Sequence, residues 1–292
     1  MFFAKGLILV EGYAENILIP ALAELIGMPL HRDGVSIVNV EGTSFKQYVK
    51  LFSQKDGNEK IQTPISVVTD SDIKPKVFSI TRENSAEVLK LVDKPESLDD
   101  QLMGSTYATF SALVKAFGLE YTNTNANALR QQVTTPLTDA QWGEQLAEKQ
   151  NKLTDMYGKL TATSKVLLSP LWTLEYTLLH SSLRRLMIQA IAETQYNPQK
   201  SGDLIKTFEA TYESNFQSAP HQAAYNAYVA LDKGSVSKTQ VSERLVELIN
   251  ELDPSTRETL KSKILGDDSE AEDQYCKYLV DAIKFASGRG AN

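Results

Sequence analysis

The chain has 292 residues, 42% of them apolar and 23% charged, with a net charge of −7. That length allows two domains with a sizeable core each, the composition is that of a soluble globular protein, and the acidity argues against a protein that coats nucleic acid through a general basic surface. The apolar runs are too short to cross a bilayer, the N-terminus lacks the parts of a signal peptide, and the single Cys276 permits no internal disulfide, so a cytoplasmic protein without membrane contact is expected.

Gly6–Tyr13 (GLILVEGY) opens with an apolar run of strand length that ends abruptly in Glu11. This strand begins almost at Met1, so the chain is expected to be the back half of a longer protein. Gly12 supplies a tight turn, and Tyr13–Gly27 spaces Ile17, Leu18, Leu22, Leu25 and Ile26 as a helix does, with Gly27 and Pro29 to end it. Pro20 is expected to bend this helix or cost it a hydrogen bond. Val35–Val40 reads as a second strand, Ser44–Phe52 as a short helix capped by Ser44, and Gln54–Gln62 as a polar loop. Ile65–Asp72 (ISVVTDSD) is the third strand, ending in Asp70 and Asp72. Such a β-α-β-α-β succession marks a parallel sheet.

The alternation then stops. From Ile73 to about Thr163 the chain reads as mostly helical, with Ser97–Phe117, Thr138–Leu160 and the stretch between them joined by Asn/Thr-rich turns. Lys165–Ser169 is a fourth strand and Leu174–Gln195 the last crossover helix. Gly202–Phe216, Gln222–Asp232, Thr239–Leu252, Ser255–Leu265 and Glu270–Ser287 follow as helices, with turns at Lys233–Lys238 and Asp267–Glu270.

Continuous apolar runs of this kind are buried parallel strands, and ligands of open α/β sheets sit beyond the carboxyl ends of the strands. Glu11, Asp70 and Asp72 would be delivered there, with Glu15 one helical turn away. Carboxylates held that close repel unless a proton or a cation lies between them. Hard oxygen donors favour magnesium or manganese. Plainer roles compete: turn capping for Asp70 and Asp72, and the positive end of a helix for Glu15 and Glu175. His31, His180 and His221 lack the spacing of ligands, and Trp142 and Trp172 read as core or interface anchors. Arg184, Arg185, Lys277 and Arg289 could touch backbone phosphates, although scattered helix charges are usually solvated.

LILVEGY at Leu7–Tyr13 and VVTDSD at Val67–Asp72 resemble the Toprim domain of topoisomerases, primases, recombination mediators and small nucleases. Glu15 in Glu-x-x-x-Glu spacing, TLEYTLL at Thr173–Leu179 after an inserted segment, and IKFA at Ile283–Ala286 narrow the resemblance to the OLD (overcoming lysogenisation defect) family nucleases. The resemblance implies an α/β fold: a Rossmann-like parallel four-stranded Toprim sheet flanked by helices, with an inserted or adjacent all-helical domain. It divides the chain into Toprim segments at 1–73 and 164–196, a helical insertion at 74–163, and a C-terminal helical region at 197–292 whose last helix returns to the site. It also implies an ABC-type ATPase preceding this chain. No G-x-x-x-x-G-K-[ST] sequence occurs here, so ATP would act only through that missing half.

The activity implied is metal-dependent DNA endonuclease cleavage with two magnesium or manganese ions. Glu11, Asp70 and Asp72 would take the central positions, Glu15 and Glu175 the outer ones, and Lys284 would meet the scissile phosphate or the leaving oxygen. Where many topoisomerases continue as Asp-x-Asp-x-Glu this chain has Lys74, and Glu175 is expected to replace the missing carboxylate. DNA is the expected partner and the isolated chain a monomer. An RNA-processing or primase-like Toprim enzyme, and a non-catalytic recombination mediator that binds DNA, are the competing readings.

Overall fold

The structure is a computed structural model that describes residues 3–51, 63–93, 97–157, 163–196, 199–203, 205–206, 220–232, 235–266 and 271–289. The chain divides into two compact units, one formed by residues 1–72 and 146–292 and the other by Ile73–Gln145. The first unit is built on β1 (Gly6–Val10), α1 (Tyr13–Leu25), α2 (Leu30–Asp33), β2 (Val35–Asn39), α3 (Phe45–Leu51) and β3 (Ile65–Thr69). The second holds β4 (Lys76–Ser79), α4 (Ser85–Leu91), β5 (Thr106–Tyr107), α5 (Phe110–Phe117), α6 (Ala126–Gln132), β6 (Thr134–Pro136) and the start of α7 (Asp139–Tyr157). The first unit then resumes with the rest of α7, β7 (Ser164–Leu168), α8 (Leu174–Leu178), α9 (Arg184–Gln195), α10 (Pro220–Asp232), α11 (Lys238–Glu251), α12 (Pro254–Leu265) and α13 (Lys277–Ala286).

The large sheet is parallel throughout, in the order β2-β1-β3-β7. Its central strands β1 and β3 are buried at every residue, whereas β2 and β7 at the edges are partly exposed. That is why the first run is an unbroken apolar stretch and the third is apolar except for Ser66 and Thr69. On one face Leu7, Leu9, Ile65, Val67, Val166 and Leu168 pack with Phe45 and Val49 of α3 and with Leu146 and Leu153 of α7. On the other face α13 lies against the strands, and the buried Ser66 of β3 donates its hydroxyl to the Ala282 carbonyl at 2.8 Å. Gly6 is required by the same helix, since a Cβ there would stand 1.8 Å from the Ala286 carbonyl oxygen.

α1 runs through Pro20 without ending. The segment read as one helix over Leu174–Gln195 is two, because the Ser182 amide is drawn to Asp273 at 2.6 Å and Ser181 folds back onto the Leu178 carbonyl at 2.8 Å. The polar loop 54–62 and most of the helix expected at 202–216 lie outside the described residues.

The second unit is largely helical and also contains a small antiparallel sheet, β5-β4-β6. Strands this short carry no readable alternation, and Ser97–Phe117, expected as one helix, is helical only from Phe110. Its core gathers Phe78, Ile80, Val88, Phe110, Leu113 and Leu129 among others.

Candidate functional site

The order β2-β1-β3-β7 reverses between β1 and β3: the chain steps from β1 to β2 on one side and then to β3 on the other. A crevice at the carboxyl ends of the strands opens at such a reversal. The residues leaving those two strands are Glu11 and Asp70. They are joined directly: the Asp70 amide donates to Glu11 Oε1 at 3.2 Å, and the Thr69 hydroxyl donates to the same oxygen. Glu15, in the first turn of α1, is buried with 7% exposure.

The segment after β7 closes the other side. The Leu174 amide, at the start of α8, donates to Asp70 Oδ1 at 2.8 Å. Thr173 caps α8 by accepting from the Tyr176 amide. Its hydroxyl donates to Glu175 Oε2 at 3.0 Å and lies 3.2 Å from the phenol oxygen of Tyr228 on α10. Glu175 is only 1% exposed, and its carboxylate is met by Lys238 Nζ at 2.8 Å. Lys238 opens α11, which packs against α1 and α9.

Burial, then the Asp72 charge, pushes the Glu11 carboxyl up to about 7. Burial also raises Glu15, with Glu175 adding to it. Asp70 is raised well above the carboxylate range by burial and by Glu175 and Glu15, against the pull of Lys238. Burial alone would lower the Lys238 ammonium, but Glu175, Tyr228 and Asp70 hold it above its ordinary value. Tyr228 is pushed up to about 12 by burial and then by Glu175. A set of acids that raise one another in this way is stabilised by positive charge.

Asp72 stands apart in its backbone, with φ at 56°. Its carboxylate is 3.3 Å from Lys149, and its charge is felt by Glu11. The structure thus gathers Glu11, Glu15, Asp70, Asp72 and Glu175 at one end of the sheet. Among the described residues, no three carboxylate, imidazole or thiolate side chains are grouped closely enough to hold an ion as they stand.

Lys284 is not brought to these carboxylates. It lies on α13 between Ala282 and Ala286, whose carbonyls meet Ser66 and Gly6 near the starts of β3 and β1. Its ammonium is 4.0 Å from Glu272. Tyr278, towards the other end of that helix, has its phenol raised by burial first and then by the Asp70 and Glu15 charges. Among the described residues, Lys149 and Lys238 pair with carboxylates of this cluster, and neither was singled out by the sequence. One signal for Lys238 was present: a lysine as first residue of a helix sits against the macrodipole. Thr69 and Thr173 lie within the VVTDSD and TLEYTLL stretches without having been assigned a role, and Tyr228 carried no signal.

The other residues singled out by the sequence have these surroundings. Lys277 pairs with Glu272 at 2.9 Å and Asp281 at 3.2 Å, and Arg289 with Asp33 at 2.9 Å. Arg184 and Arg185 line a cavity of about 730 Å³ with Lys263, Thr256 and Thr259. Trp172 is buried, stacked on Tyr225 and tilted against Tyr228 with ring centres 4.9 Å apart. Among the described residues, no helix is long and apolar enough to cross a membrane.

A family model described as the TOPRIM domain of overcoming lysogenization defect protein-like proteins matches residues 2–72. No curated protein matches the chain. Among solved structures, the C-terminal region of the Xanthomonas campestris pv. campestris OLD protein is similar at 18% identity, with 100% of this chain and 98% of that chain covered and a TM-score of 0.43. The C-terminal region of the Burkholderia pseudomallei OLD protein is similar at 19% identity, with 99% and 100% covered and a TM-score of 0.45.

Proposed function

We propose, from the premise that residues 2–72 of this chain are an OLD-like Toprim domain, that the chain is the catalytic part of a divalent-metal-dependent DNA endonuclease. The observation that carries this reading is the junction of Glu11 and Asp70 at the point where the strand order reverses, with Glu15 and Glu175 buried beside them. The donors are all hard oxygens, and their mutual destabilisation is what a magnesium or manganese ion relieves. Glu11, Glu15, Asp70, Asp72 and Glu175 would hold two such ions.

Bound divalent ions would supply Lewis-acid stabilisation of the charge that develops on phosphoryl oxygens, together with an activated water. The chain's own residues would do the rest. Lys238, whose ammonium is 2.8 Å from Glu175, would neutralise a phosphate oxygen, the role expected of Lys284. Thr173, whose hydroxyl also meets the Tyr228 phenol, orients the Glu175 carboxylate. The Leu174 amide does the same for Asp70. On this reading the full-length protein places an ABC-type ATPase ahead of this chain, and ATP control enters through it.

The test is end-group analysis of a labelled DNA duplex incubated with the chain and Mg²⁺ or Mn²⁺. Products carrying a 5′ phosphate, formed only with the metal, support hydrolysis at this site. Retarded but uncut DNA would favour a non-catalytic binding module instead.

A further inference from the structure

We propose that Lys149 is a positioning residue: it clamps the Asp70–Asp72 turn at the point where the chain leaves the first unit and comes back to it. The first unit ends at Asp72 and resumes at Leu146. Leu146, Lys149 and Leu153 fall on one face of α7, three and four residues apart. Leu146 and Leu153 pack onto the sheet core, so Lys149 is delivered to the same side. Its ammonium donates to the Asp70 carbonyl at 2.8 Å, the Ser71 carbonyl at 2.5 Å and Asp72 Oδ2 at 3.3 Å.

An ammonium has three protons, and here each has an acceptor on consecutive residues of one turn. A surface ion pair contributes little and is easily exchanged for water. A lysine that satisfies two main-chain carbonyls and a carboxylate, with its side chain 28% exposed, is a different object. The turn needs such support. Asp72 has φ at 56°, a conformation that residues with a side chain seldom adopt, Asp among the more tolerant, and that contacts around the turn help to keep. From the opposite side the Ser71 amide donates to Ser169 Oγ and the Asp72 amide to the Trp172 carbonyl, both at 2.9 Å. Carbonyls are thus held by Lys149 and amides by the segment after β7.

What the turn is held for depends on the nuclease reading, in which Asp70 and Asp72 are metal ligands; the clamp itself does not. The experiment uses the whole chain, with Lys149→Met, Lys149→Arg and, as a control far along the chain, the exposed Lys90→Met. Amide hydrogen exchange is followed at Ser71 and Asp72 against the β3 amides, and Mn²⁺ is titrated calorimetrically.

In Lys149→Met the two turn amides should exchange about tenfold faster while β3 keeps its protection. Mn²⁺ affinity should fall by roughly 10–100-fold, as it does when partners that orient ligands are removed. Lys149→Arg should recover part of both, and Lys90→Met should move neither. Unchanged exchange at Ser71 and Asp72 overturns the clamp. Faster exchange with unchanged Mn²⁺ affinity overturns the positioning role. Should Lys149→Met lose protection throughout, Lys149→Arg decides by the same two readouts. A wild-type chain that takes up no Mn²⁺ overturns the nuclease reading, and the exchange result alone then supports or overturns the clamp.

Discussion

Lys238 Nζ lies 2.8 Å from Glu175 Oε2, joining the first residue of α11 to a carboxylate that is 1% exposed. The Lys238 side chain is 43% exposed and that of Glu175 2%, so the pair is buried on one side only. Lys238→Met should therefore destabilise the chain by about 1–3 kcal/mol, less than a fully buried pair loses when one partner is removed. The double variant Lys238→Met/Glu175→Gln should regain most of that loss, because the uncompensated carboxylate is gone. Urea unfolding of the two variants checks this. Equal midpoints would show that Glu175 does not need its lysine.

Glu11 supplies a pH dependence. Its carboxyl is raised from the ordinary 4.5 to about 7 in the folded chain, by burial first and then by Asp72. The folded chain therefore binds this proton more tightly than the unfolded one. Its contribution to stability is complete below pH 4.5 and is lost as the pH rises through 7. In EDTA, Glu11→Gln should melt above wild type at pH 8, with the gap closing towards pH 4.5. Melting curves across this range that run parallel for the two proteins would contradict it.

Gly6→Ala tests the packing of α13 on the sheet. The new methyl would collide with the Ala286 carbonyl oxygen, at 1.8 Å, which is main chain and has no rotamer to escape to. The helix end must shift, at a cost of about 1–3 kcal/mol or more. Calorimetric melting gives the answer. An unchanged midpoint would mean that the last turn of α13 is loosely held.

The two central strands and the carboxylates at their ends were legible because burial on both faces leaves a near-continuous apolar run, and Glu11 and Asp70 are where these two runs stop. Lys149 and Lys238 were not, since a lysine on an amphipathic helix reads as solvated until its neighbours are known. Lys284 was placed at the site by resemblance alone. Nothing local tells which way α13 runs along the sheet, and that direction carries Lys284 towards the starts of the strands. The break before α9 depends on Asp273, 91 residues beyond Ser182, which no local pattern reports. The strands of the second unit are shorter than the alternation that would announce them.

The Glu11–Asp70 junction, proposed as the seat of DNA cleavage, is tested most directly on supercoiled plasmid. Supercoiled plasmid is incubated with the wild-type chain and with Asp70→Asn, each with Mg²⁺ or Mn²⁺ and with EDTA. The account predicts nicked and linear products from wild type, abolished by EDTA, and a rate at least about a hundredfold lower in the variant, beyond the loss expected for a residue that only orients a ligand. A variant that retains its fold and cuts as fast as wild type, or a wild-type chain that binds metal and leaves the plasmid intact, would contradict it.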